Sequence, residues 1–113
     1  MNDRELLEAA ATAAGLHNHR YIGPGMAERI DAASGGSKGP IWNPIDDDGD
    51  AMRLAVSLSI SIQPDEETYV FAGKDIHKTG LGYSEYHNGD KLAATRRAIV
   101  RAAANIGEQH GTN

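Results

Sequence analysis

The core of this chain has to be built largely from alanine. Leucine, isoleucine, valine and phenylalanine together supply fewer than a fifth of the 113 residues, whereas alanine supplies seventeen and glycine thirteen. So low a share of large apolar residues approaches the disordered range, but a net charge of −5 is too small to enforce disorder. The solution open to such a chain is a small core of alanine-faced helices packed closely, with loose loops around it. The length suits one domain, residues 1–113.

Three stretches carry helical periodicity. The first is expected from Asp3 to Ala14, capped by Asn2 with Glu5 three residues on, and striped by Leu6, Leu7, Ala10, Ala11 and Ala14. The second starts at Asp46 or Asp47 and runs to Leu58, with Ala51, Leu54, Ala55 and Leu58 inward. Met52 and Val56 widen its stripe and make it the most buried of the three. The third runs from Lys91 to Ile106, capped by Asp90 and ended by Gly107, with Leu92, Thr95, Ile99, Ala102, Ala103 and Ile106 inward. Residues 108–113 read as a frayed tail.

Strand patterns fill the gaps. Arg20 to Ile22 and Ile41 to Asn43 are short candidates. Ser59–Gln63 and Thr68–Ala72 alternate about the turn Pro64–Glu67, with Tyr69 and Phe71 sharing a face, and Tyr83–His87 offers a third strand. Residues 23–40 read as a mobile surface loop holding a short helix-like piece, Met26–Ala33. The fold class is therefore α+β: three main helices on a small antiparallel sheet of three or four strands. Trp42, Leu54, Leu58, Phe71, Ile99 and Ile106 are the expected large core residues.

Composition excludes several chemistries. Without cysteine there is no disulfide framework, thiol nucleophile or iron–sulfur cluster. No apolar run reaches the ~18 residues of a membrane span, and no apolar segment follows the charged start. A cytoplasmic protein without membrane association is expected. Residues 1–67 carry twelve acids against five bases, and residues 68–113 four against six. The acidic first part disfavours non-specific contact with nucleic acid.

Two separated strings look familiar together: Trp42-Asn43-Pro44-Ile45-Asp46-Asp47-Asp48-Gly49-Asp50-Ala51-Met52-Arg53-Leu54-Ala55-Val56 and Ala93-Ala94-Thr95-Arg96-Arg97-Ala98-Ile99-Val100-Arg101-Ala102-Ala103-Ala104. Their order and spacing resemble a family of small, uncharacterised proteins encoded by bacteriophages and prophages. The resemblance covers the second and third helices and a similar N-terminal helix. It implies a phage accessory protein in bacterial cytoplasm and brings no catalytic residue.

Candidate sites are few. The aspartates Asp46, Asp47, Asp48 and Asp50 do not make an EF-hand. With Gly49 in sixth place, Pro44 would stand first and Ala55 twelfth, and neither supplies a carboxylate. Caps and dipole partners at a helix start are the simpler reading, with a weak irregular divalent site as the alternative. His17, His19, His77, His87 and His110 are too scattered to name a zinc site. Lys78-Thr79-Gly80 lacks its Ser-x-x-Lys partner, and Gly35-Gly36-Ser37-Lys38-Gly39 lacks the ending of a phosphate loop. The best binding hint is Arg96, Arg97 and Arg101, with Arg97 and Arg101 one turn apart on the third helix. An arginine row on a terminal helix after a small sheet resembles the arrangement in double-stranded-RNA-binding domains. The alternative is a solvated face, or pairing with the aspartates of the second helix. No catalytic residue, metal or cofactor is expected. The leading expectation is a non-enzymatic accessory protein that binds a host or phage protein. The second is a nucleic-acid module using the arginines.

Overall fold

The computed structural model describes residues 2–16, 19–23, 26–29, 41–63, 69–74 and 82–111. In chain order these form α1 (Asp3–Ala13), β1 (His19–Gly23), β2 (Met26–Arg29), α2 (Asp48–Leu58), β3 (Ile60–Gln63), β4 (Tyr69–Lys74), β5 (Tyr83–Tyr86) and α3 (Lys91–Gly111). The architecture is α+β. The strands divide between two antiparallel sheets, a β1–β2 hairpin and a β3–β4–β5 meander, rather than forming one. Trp42 adds a single bridge to β2: its N–H and carbonyl bond the carbonyl and N–H of Ala27 at 2.7 and 2.8 Å.

Helix α3 organises the molecule. It packs against α1, α2 and all three strands of the meander. Its seam with α1 is made of small residues: Ala10 and Ala11 on one side, Ala98, Ala102 and Ala103 on the other, all buried. Leu7, Ile99 and Val100 fill the space that remains. The two helices run parallel, because Asp3 meets Arg97 near their starts and Ala9 meets Gly107 further along. Gly107 does not end the helix. It is buried within α3, where a methyl group would collide with the carbonyl of Ala9. Residues 108–111, expected to fray, continue the helix.

Register decides what the meander shows to α3. Directly opposed residues share a face, so Ile62, Ala72 and Tyr83 point one way together with Val70 and Glu85. This face is the inner one: Val70 and Ala72 are buried, whereas Phe71 is only half-buried. The expected inward pairing of Tyr69 with Phe71 is thus off by one residue, and Tyr69's side chain lies outside the described set. Ser59 is not part of β3. It closes α2 in the left-handed region at φ 56°, and its N–H bonds the Ala55 and Val56 carbonyls.

Other expectations are corrected by position. Met26–Arg29 is a strand paired with β1, not helix-like. The rest of the expected 23–40 loop falls mainly outside the described residues. Helix α2 is not the most buried helix, because it lies on the flank of α3 and only its Ala51, Leu54, Ala55 stripe is covered. Met52 and Val56 stand 53% and 71% exposed, and Leu92 is exposed in the first turn of α3. Trp42, Leu54 and Ile99 are buried as expected; Leu58 and Ile106 are half-buried against the core.

Candidate functional site

The three candidate arginines sit on one helix but do not form one face. Successive residues of a helix differ by ~100°, so Arg96 turns toward α2 while Arg97 and Arg101 turn toward α1 and β5. Arg96 Nε donates to the Ile45 carbonyl at 2.8 Å and Nη1 to Asp48 Oδ1 at 2.6 Å. Its side chain is only 17% exposed. Arg97 Nη2 donates to Asp3 Oδ1 at 2.5 Å, and its Nε lies 3.8 Å from Glu85. Arg101 Nη1 donates to Glu85 Oε1 at 2.9 Å and to the Ser84 carbonyl at 3.2 Å, and its guanidinium lies 4.8 Å over the Tyr83 ring. The hydrogen bond that Arg97 donates to Asp3, assisted by the charges of Asp3 and Glu85, holds the Arg97 proton more tightly than usual. Each arginine therefore ties α3 to a different element.

Arg97, Arg101 and Glu85 line a cleft of about 320 Å³ with Leu6, Tyr83, Asn105 and Glu108 among the other walls. The two guanidiniums there are paired with the carboxylates of Asp3 and Glu85, and Glu108 adds a further acid to the lining. No excess of positive charge is left for a phosphate backbone, whose contacts must supply most of any duplex affinity.

The aspartate string builds a closed turn instead. The Asn43 carbonyl accepts from the N–H of Asp47 at 2.8 Å, while Pro44 is buried behind it. Asp47 caps α2, its Oδ2 accepting from Asp50 N at 2.8 Å. Asp50 reaches back, accepting from Asn43 N at 2.9 Å and from Arg53 Nη2 at 2.7 Å. Trp42 is thereby fixed at the start of α2. Among the described residues no group of three His, Cys, Asp or Glu stands together as a metal would need. Asp47→Ala should cost about 1 kcal/mol, read as a shift in urea midpoint. An unchanged midpoint would remove the capping role.

A groove that the sequence does not reveal lies beside this turn. It spans about 470 Å³ between the end of α1 and α2, lined by the apolar Ala14, Leu16, Ile41, Trp42 and Leu54 and by the polar Asp50, Arg53 and Ser57. Ile41 is 48% exposed and Trp42 only 8%. Leu16 and Ile41 belong to no helical stripe, so periodicity could not join them to Leu54.

The remaining candidates separate. His17, His77, Lys78-Thr79-Gly80 and the 35–39 glycine segment lie outside the described residues, as do the side chains of His19 and His110. His87 Nδ1 accepts from the Gly89 N–H at 3.2 Å in the turn before α3. On α1, Arg4 lies 5.3 Å from the centre of the Tyr21 ring. Burial, then the charge of Glu8, pushes the Tyr21 hydroxyl from 10.0 up to about 12, with Arg4 opposing. The raised value favours the neutral phenol in the fold. Stability from this group is full below about pH 10 and is lost as pH rises toward 12. Urea melts at pH 9 and pH 11 should show this loss in the parent and a smaller one in Tyr21→Phe.

Among the described residues, no helix is long and apolar enough to cross a membrane. The geometry defines an α+β protein with a self-paired arginine helix and a groove of mixed polarity that Trp42 helps to line. No family model, curated protein or solved structure matches the chain.

Proposed function

We propose that the protein is a non-enzymatic docking module that binds another protein, an accessory protein of a phage or prophage working in the host cytoplasm. The phage origin is supported by the two strings around Trp42–Val56 and Ala93–Ala104. Docking is supported by one observation: the groove at α2 leaves Ile41 48% exposed above buried Trp42 and Leu54. Apolar side chains set among Asp50, Arg53 and Ser57, with acid and base paired, suit a partner's side chain better than a charged polymer. The nucleic-acid reading loses support because Arg96, Arg97 and Arg101 each already have an acid partner.

The test is capture from bacterial host lysate with the parent and with Ile41→Asp, beside a heparin column run for both. The parent should retain a protein that Ile41→Asp loses, and neither should hold to heparin above low salt. Strong salt-dependent heparin retention, abolished by replacing all three arginines with alanine, would reverse the ranking of the two readings.

A further inference from the structure

We infer that the Trp42 groove accepts a partner segment in which a bulky aliphatic side chain is flanked by lysine or arginine. The inference rests on the docking reading and adds the chemistry of the occupant. The walls specify the aliphatic part. Trp42, Leu54, Leu16 and Ala14 offer apolar surface with Ile41 beside them, and among the described residues Asp50 and Arg53 are the charged side chains that line the groove.

Charge specifies the flanks. Asp46, Asp47, Asp48 and Asp50 lie in the turn and first helical residues of α2; Asp50 lines the groove, and Asp47 stands 3.9 Å from Arg53, which also lines it. Two guanidiniums answer these four carboxylates: Arg96 holds Asp48, and Arg53 holds Asp50 at 2.7 Å with Asp47 at 3.9 Å. Arg53 is itself 73% exposed on its side chain, so its pairing competes with water and with any incoming cation. Asp46 is exposed, and among the described residues its side chain has no hydrogen-bond or ion-pair partner. Acid is thus in excess at the start of α2, beside the groove, and residues 1–67 as a whole carry twelve acids to five bases. Such a field draws a basic segment in and turns an acidic one away.

Trp42 is the only tryptophan in the chain, so its emission reports the groove alone. The probes are three eight-residue peptides without aromatic residues, alternating leucine with lysine, with serine or with glutamate. The leucine–lysine peptide should shift Trp42 emission saturably. At low salt it should bind at least about tenfold more tightly than the leucine–glutamate peptide, and salt should narrow that gap. Ile41→Asp should abolish the shift, and Asp46→Lys, which removes no side-chain hydrogen bond or ion pair among the described residues, should weaken binding of the leucine–lysine peptide several-fold. Equal or tighter binding of the serine or glutamate peptide overturns the basic flank and leaves the docking reading standing. A shift indifferent to Ile41→Asp places the peptide elsewhere and overturns the inference. Silence from all three peptides overturns both.

Discussion

Gly107→Ala is expected to destabilise the protein by about 3 kcal/mol, the upper part of the range for overpacking a tight core. The sign is the informative part. In the middle of an ordinary helix, exchanging glycine for alanine adds roughly 0.5–1 kcal/mol of stability. Here the added methyl would run into the Ala9 carbonyl, and it would also lie 3.2 Å from Ala13 N. Both atoms belong to the backbone of α1, so no rotamer change relieves the clash and the helices must separate. Separation would weaken the whole alanine seam, where Ala10, Ala11, Ala98 and Ala103 are fully buried and have no longer side chain to bridge a gap. Ala9→Gly should not rescue the variant, because the obstacle is a main-chain oxygen. Urea melts followed by circular dichroism decide the matter. A variant as stable as the parent would show that α1 and α3 do not approach this closely.

The same glycine shows where periodic reading stops. Asn2, Asp47 and Asp90 are legible as caps because a cap is a local device, and each accepts a backbone N–H three residues on. The alanine stripes of α1 and α3 are legible for the same reason. Gly107 carries two meanings in sequence, helix terminator or point of close approach, and only the neighbouring helix selects between them. Val56 and Met52 fail differently: they extend an apolar stripe, but among the described residues nothing covers that side of α2 and both stay exposed. Val70 and Phe71 differ by a single step of the strand, and which of them faces α3 is set by register with β3 and β5.

The site was legible in part. The sequence picks out Arg96, Arg97 and Arg101 by charge and spacing, but their partners Asp48, Asp3 and Glu85 lie on three other elements. Asp3 stands 94 residues from Arg97. Pairing over such separations is a property of the tertiary fold, which turns an apparent phosphate-binding row into three internal braces. The groove was illegible because its walls come from a chain end of α1, a bridge residue and a helix, with no common period.

Trp42→Ala is expected to cost roughly 3–5 kcal/mol, the range for removing a buried tryptophan. Against a total stability of about 5–15 kcal/mol for a domain of this size, that loss is a large part of the whole. The ring is 8% exposed and belongs to the same core cluster as Leu54 and Ala51, while its backbone holds Ala27 of β2 through two hydrogen bonds. Trp42 therefore ties the β1–β2 hairpin to the helical core, beside the contact of Tyr21 with Arg4 on α1, and a two-stranded hairpin is marginal without such anchors. The alanine variant keeps the backbone bonds but loses the weight that holds them, so amide exchange at Ala27 should accelerate before the helices melt. Trp42→Phe keeps an apolar ring and should recover most of the stability. Circular dichroism follows the melts, since the intrinsic tryptophan signal is gone. A midpoint for the alanine variant within 1 kcal/mol of the parent, at roughly the scale of a surface change, would show that the ring bears no load and that the groove has no fixed floor.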